Sequence, residues 1–127
     1  MSAIVYAWVA LGGLAGTFAR FALEGFVQQR TGAAFPWGTL VVNVSGSFLV
    51  GFIARLGTGA AVLAPEVRTG LLIGFCGAYT TFSTYSYETV QMLLAGAYAR
   101  AATYAAGSVI VALLSTLTGI ATASRLL

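Results

Sequence analysis

The sequence predicts an all-α membrane protein with four transmembrane helices, the third of them broken at mid-membrane. Hydrophobic residues make up 59% of the 127 positions and charged residues only 7%, whereas a soluble domain has about 25% charged residues. Long apolar stretches alternate with short connections, and one stretch is too long for a single straight crossing and has polar residues at its centre. The chain therefore cannot cover a water-facing surface, and we predict a single transmembrane domain over residues 1–127.

Four predicted spans account for most of the chain. They are expected at about 3–23, 38–55, 67–97 and 101–123, and each reaches the minimum of roughly 17 residues that a crossing needs. No Lys or Arg precedes the first span, so we interpret it as a retained helix and not as a cleavable signal peptide. Polar and helix-breaking residues predict a connection at 24–36.

The third segment, 67–97, is the most informative part of the chain. It exceeds the roughly 20 residues of a straight crossing and contains Thr-Thr-Phe-Ser-Thr at positions 80–84. Polar groups at membrane depth are costly unless they are paired or line a cavity, so they indicate function. We predict a break near 77–80 that divides the segment into two half-helices, whose freed backbone groups can bind an ion.

Two polar residues of the first two spans each have two interpretations. Arg20 follows Gly12 and Gly16 on one helix face, so this face is either a packing seam with an Arg at the interface or part of a vestibule that attracts anions. Asn43 has an amide whose unpaired burial would be costly. It therefore either lines an ion pathway or forms an interhelical hydrogen bond.

The arginines give the four predicted spans no preferred orientation, because three lie on each side of the membrane. One side has Arg55, Arg68 and Arg125, and the other has Arg20, Arg30 and Arg100. Since an excess of cytoplasmic Lys and Arg normally sets topology, a balanced chain can insert both ways. Opposite copies can then pair about an axis in the membrane plane, and we expect an antiparallel, dual-topology homodimer.

Catalysis and nucleic-acid binding are not expected from this composition. The chain has no His, a single Cys76 and three scattered acidic residues, and its net charge of +3 is dispersed. We find no group of side chains suited to catalysis and no basic cluster for phosphate.

Three blocks of residues together resemble the Fluc (CrcB) family of fluoride channels. They are Gly12-Gly13-x-x-Gly16-x-x-x-Arg20, Pro36-Trp37-Gly38-Thr39-Leu40-x-x-Asn43-x-x-Gly46 and Gly74-x-x-Gly77-x-x-Thr80-Thr81-Phe82-Ser83-Thr84. The resemblance covers almost the whole chain in order. Ala78 and Tyr85 depart from it, since the family usually has Gly and Phe there.

The resemblance implies an antiparallel dimer with two fluoride pores in a bacterial inner membrane. It implies that Arg20 and Glu88 belong to a vestibule, and that backbone carbonyls of Gly77 and Thr80 hold one structural sodium ion at the dimer centre. The implied pore lining combines hydroxyl, amide and aromatic side chains. These residues are Asn43, Phe82, Ser83, Thr84, Tyr85, Tyr104 and Ser108.

The sequence is compatible with three functions. A passive fluoride channel that lets toxic fluoride leave the cytoplasm explains Asn43 and the hydroxyl-rich block. A proton-coupled exporter resembling the small multidrug resistance proteins needs a carboxylate deep in the first span, and Glu24 lies only at its end. A structural membrane subunit explains the glycine seams but leaves the polar residues without a role.

Overall fold

The computed structural model describes residues 1–32, 34–59 and 63–127, and within these ranges the protein is helical with no strand. Three long helices are α1 (Ala3–Thr31), α2 (Trp37–Gly59) and α6 (Tyr98–Ser124). Between α2 and α6 lie α3 (Pro65–Thr69), a π-helical segment (Gly70–Cys76), α4 (Gly77–Tyr79) and α5 (Phe82–Leu94). The predicted all-α class is confirmed.

Helices α1, α2 and α6 are each long and apolar enough to cross a membrane. The chain is therefore a helical membrane protein, as predicted. Helix α1 continues to Thr31, so the predicted connection over 24–36 was wrong for its first half. Residues 24–31 contain no Pro, and the helix ends only where Gly32 adopts a positive φ of 86°, a conformation that favours glycine.

The predicted break in the third segment is confirmed, but it lies at Thr80 and Thr81. Helix α4 ends at Tyr79 and α5 begins at Phe82, while Thr80 and Thr81 are extended, with ψ values of 158° and 113°. Gly77 is helical, with φ −62° and ψ −36°, so the prediction placed the start of the break too early. The chain leaves the helix where Thr81 can cap α5, and a glycine alone does not interrupt a packed helix.

Glycines bring the helices into close contact at two seams. A side chain at Gly12 or Gly16 of α1 would collide with the backbone of the π-helical segment at Gly70 and Phe75. The predicted packing seam on this face of α1 is therefore confirmed. Gly51 of α2 and Gly119 of α6 likewise lie so close to the backbone of the other helix that a side chain there would collide with it. Small residues allow this close approach in membrane helices.

Candidate functional site

Asn43 of α2 is bonded to the backbone of the break. Its side-chain amide donates to the Thr81 carbonyl at 3.1 Å, and its carbonyl oxygen accepts from the Thr81 N–H at 2.7 Å. One side chain thus satisfies both the N–H and the carbonyl of Thr81. Of the two interpretations of Asn43, the interhelical hydrogen bond is present. These two hydrogen bonds use only one of the two N–H groups of the Asn43 side-chain amide.

Thr81 also caps the start of α5. Its hydroxyl oxygen accepts from the Thr84 N–H at 3.2 Å, and the hydroxyl donates to Thr84 Oγ1 at 2.9 Å. In a continuous α-helix the N–H groups of Thr81 and Thr84 would bind the carbonyls four residues earlier, those of Gly77 and Thr80. Both N–H groups are engaged elsewhere, so the two carbonyls predicted to hold sodium have lost their regular helical donors.

A cavity of about 260 Å³ lies beside the break, between α2, α5 and α6. Its lining combines polar groups, two aromatic rings and small apolar residues. The lining residues are Asn43, Ser47, Val50, Thr80, Thr81, Phe82, Tyr85, Ser108, Val109 and Ala112. The fold thus brings four of the seven predicted pore residues to one cavity, which we call the break cavity.

Ser108 has the most distinctive polar group of the break cavity. Its residue is only 7% exposed, and within the described ranges its buried hydroxyl has no hydrogen-bond partner. A buried hydroxyl without a partner costs free energy. No protein group in the described ranges uses this donor.

Tyr85 lines the break cavity with its ring, while its hydroxyl is engaged on α6. The hydroxyl donates to the Ala105 carbonyl at 2.8 Å, and the ring lies 5.5 Å from that of Phe82 and 5.4 Å from that of Tyr104 between centroids. The hydroxyl that distinguishes Tyr85 from the usual Phe therefore anchors the ring to the neighbouring helix.

A second, larger and open cavity of about 860 Å³ lies between α1 and α5 and reaches the loops at their ends. Arg20, Glu24 and Glu88 all line it. The Arg20 Nε donates to the Ala78 carbonyl at 3.0 Å, and the guanidinium lies 3.8 Å from the Glu24 carboxylate. The two predicted vestibule residues, Arg20 and Glu88, thus share a cavity, and Arg20 also reaches the short helix before the break.

Glu88 lines the larger cavity, and its partner Tyr104 packs against Tyr85 of the break cavity. The Glu88 carboxylate accepts from the Thr39 hydroxyl at 2.7 Å and from the Tyr104 hydroxyl at 2.6 Å. Tyr104 is only 1% exposed, so it does not line the break cavity but lies behind Tyr85. Its hydroxyl is bonded to Glu88, and its contact with a passing ion stays a prediction.

Two predicted pore residues, Ser83 and Thr84, lie on the first turn of α5 outside the lining of the break cavity. Thr84 is bonded to Thr81, and the Ser83 side chain is exposed.

Conversely, sequence reasoning assigned no role to Thr81 as a cap or to Thr39 as a donor to Glu88. A Thr immediately before the second half-helix was a usable signal for the cap, whereas nothing local indicated the partner of Thr39.

These features define a membrane protein of transmembrane helices with a polar cavity at a broken helix. Residues 7–120 match the family described as CrcB-like protein, Camphor Resistance (CrcB). The chain belongs to this family.

Several relatives carry the name fluoride-specific ion channel FluC. The protein from Geobacter sulfurreducens is 44% identical over 118 residues, which cover 93% of this chain and 95% of the relative. That from Methylocella silvestris is 44% identical over 113 residues, covering 87% and 86%. A third, from Nitrosococcus oceani, is 51% identical over 87 residues, covering 68% and 70%.

Proposed function

We propose that this protein is a fluoride-selective channel through which fluoride leaves the cytoplasm passively, so that its toxicity is reduced. The family and the names of the relatives support this function. The observation that carries it in the structure is the break cavity, which Ser108 lines together with Asn43 and Phe82. The Ser108 hydroxyl has no hydrogen-bond partner in the part of the chain that the structure describes. A channel of this kind needs no catalytic group, and we infer that the protein is not an enzyme.

The break cavity offers what a small, strongly hydrated anion requires. Removing water from an ion without replacement is very costly, so closely spaced donors are needed. The Ser108 hydroxyl, the second N–H of Asn43 and the N–H groups of the first turn of α5 can supply them. Ring edges of Phe82 and Tyr85 add a weaker positive potential. Because all these donors are neutral, binding stays weak enough for the anion to leave.

We infer a route that enters through the larger cavity. Arg20 lines this cavity beside Glu24 and Glu88, and its guanidinium offers an entering anion a positively charged contact. From there the route passes Glu88 and Tyr104 to the break cavity, and Ser83 and Thr84 extend it along the first turn of α5. The Glu88 carboxylate accepts hydrogen bonds from the Thr39 and Tyr104 hydroxyls.

Fluoride efflux from liposomes that contain only the purified protein tests the function. With valinomycin to balance charge, we expect fluoride to leave without a pH gradient and chloride to be retained. A proton-coupled exporter, for which Glu24 and Glu88 in one cavity are the possible carboxylates, would instead depend on the proton gradient. A structural subunit would release neither anion, and this result would overturn the proposal.

We further propose an antiparallel homodimer with one sodium ion at its centre, in a bacterial inner membrane. The carbonyls of Gly77 and Thr80 lack their regular helical donors, and neutral carbonyl oxygens suit a hard monovalent cation. Gly77 is exposed, with nothing closer to its would-be side chain than the Leu72 carbonyl at 3.9 Å. This open position leaves room for a second copy to approach, and a sodium bound there would hold the two breaks together.

Dual topology gives a testable prediction. Because three arginines lie at each end of the predicted spans, a tag at the C-terminus is expected on both faces of the membrane in comparable amounts. Adding two or three Lys to one loop should force a single orientation and abolish flux, since antiparallel partners would be missing. Accessibility of the tag to a membrane-impermeant reagent measures this, and a one-sided tag in the unmodified protein would contradict it.

Tyr85→Phe is expected to retain fluoride flux within about tenfold, roughly 1.4 kcal/mol of barrier. The substitution removes the hydrogen bond to the Ala105 carbonyl but keeps the ring that lines the cavity. Phe82→Ile is expected to reduce flux much further, because it removes the aromatic edge. Efflux rates of the two variants provide the comparison. Equal losses would show that the Tyr85 hydroxyl is essential in this protein.

A further inference from the structure

We propose that Tyr79 is a positioning residue that, through Ser45, sets the discrimination between fluoride and chloride. The inference rests on the proposed function and concerns two residues to which that function assigns no role. Tyr79 is the last helical residue before the break, and it is 6% exposed. Its hydroxyl oxygen lies 2.8 Å from Ser45 Oγ of α2.

The direction of this hydrogen bond follows from the other partner of Ser45. The Ser45 hydroxyl donates to the Val41 carbonyl at 2.7 Å, and a serine hydroxyl has only one proton to donate. The Tyr79 hydroxyl is therefore the donor and Ser45 Oγ the acceptor. Since the Val41 bond fixes the Ser45 side chain on its own helix, Ser45 provides a rigid anchor for Tyr79.

One turn of α2 thus holds both sides of the break. Asn43 binds Thr81 after it, and Ser45 binds Tyr79 before it. The next residue of α2, Gly46, lies so close to the break that an added Cβ would collide with the Thr80 side chain and press against the Tyr79 ring. The position of Thr80 relative to the donors of Asn43 is therefore determined from two directions.

The Tyr79 ring has a separate role in packing. It is stacked on Phe75, with ring centroids 5.5 Å apart and planes 14° from parallel, and the Phe75 backbone packs against Gly16 of α1. The ring therefore stabilises the fold, whereas the hydroxyl only fixes the position of the break on α2. Removing the hydroxyl alone separates the two roles.

Discrimination depends on the hydroxyl because the donors at the break must be closely spaced to replace the water of a small anion. A break that can shift on α2 accommodates the larger, more weakly hydrated chloride at less cost. The net contribution of a neutral hydrogen bond is roughly 1 kcal/mol. We therefore expect the fluoride-to-chloride flux ratio to fall about fivefold when the bond is lost.

The test compares Tyr79→Phe, Ser45→Ala and the double variant in liposomes, with fluoride and chloride measured separately. All three are expected to lower the flux ratio about equally, because removing both partners of one bond costs no more than removing either. Tyr6→Phe serves as the control, since the Tyr6 side chain is 63% exposed on α1. Its flux ratio is expected to match that of the unmodified protein.

Each other outcome overturns a specific statement. If the unmodified protein carries no fluoride, the proposed function is wrong and this inference falls with it. If it is selective and Tyr79→Phe has the same flux ratio, the inference alone is wrong and Tyr79 only packs. Additive losses in the double variant would also overturn it, because the two residues would then act independently. Should Tyr79→Phe fail to fold, Ser45→Ala, which leaves the aromatic stack intact, decides the question.

Discussion

Asn43→Asp is expected to reduce fluoride flux about a thousandfold while the protein still assembles. An ionised carboxylate would stand in the wall of the break cavity, and two like unit charges about 4 Å apart repel by roughly 4 kcal/mol in surroundings of intermediate polarity. A barrier raised by that amount lowers the fluoride flux about a thousandfold. Efflux from liposomes measures the loss, and size-exclusion chromatography checks assembly.

Asn43→Ala distinguishes this effect from damage to the break. Ala removes both hydrogen bonds to Thr81, whereas Asp keeps an acceptor for the Thr81 N–H. If Asn43 lines the pathway, Asp is the more harmful substitution because of its charge. If Asn43 only supports the break, Ala is the more harmful, and this order of effects would remove Asn43 from the proposed pathway.

Gly77→Val is expected to abolish both dimer assembly and fluoride flux. Within one chain the added side chain has room, since the nearest atom to a Cβ would be the Leu72 carbonyl oxygen at 3.9 Å. Gly77 is also helical, so valine costs the single chain little. A large loss must therefore arise from the second copy, which would meet the new side chain beside the proposed sodium.

Ala106→Val provides the matched control, because Ala106 is exposed on α6 and lines neither cavity described above. It is expected to leave assembly and flux unchanged. Exhaustive exchange of sodium for a large organic cation should reproduce the loss seen with Gly77→Val. A variant that still dimerises, together with flux that is independent of sodium, would refute the central cation.

Much of the architecture could be predicted because it follows from local composition. Membrane helices are indicated by runs of apolar residues, which identified α1, α2 and α6. The over-long segment 67–97 with its hydroxyl cluster indicated a broken helix, and the break is there. The spacing of Gly12 and Gly16 indicated a packing seam on α1, which the structure places against Gly70 and Phe75.

Other features could not be predicted because their partners are distant in the chain. The break is located at Thr80 and Thr81 because Asn43, 38 residues earlier, binds the backbone there. The contact between Ser45 and Tyr79 spans 34 residues. The extension of α1 beyond residue 23 and the π-helical segment Gly70–Cys76 also escaped prediction, since helix ends and hydrogen-bond registers depend on packing as well as propensity.

The sequence by itself determined that this chain is a helical membrane protein with a polar interruption in its third segment, because hydropathy and polar content are properties of the residues themselves. Only the tertiary structure decided which polar groups are already paired and which remain available. Asn43 and Tyr104 are largely engaged by Thr81 and Glu88, whereas the buried Ser108 hydroxyl has no hydrogen-bond partner among the described residues. Hydrogen-bond partners are assigned by the packing of α2, α5 and α6 in three dimensions, and no local pattern contains that information.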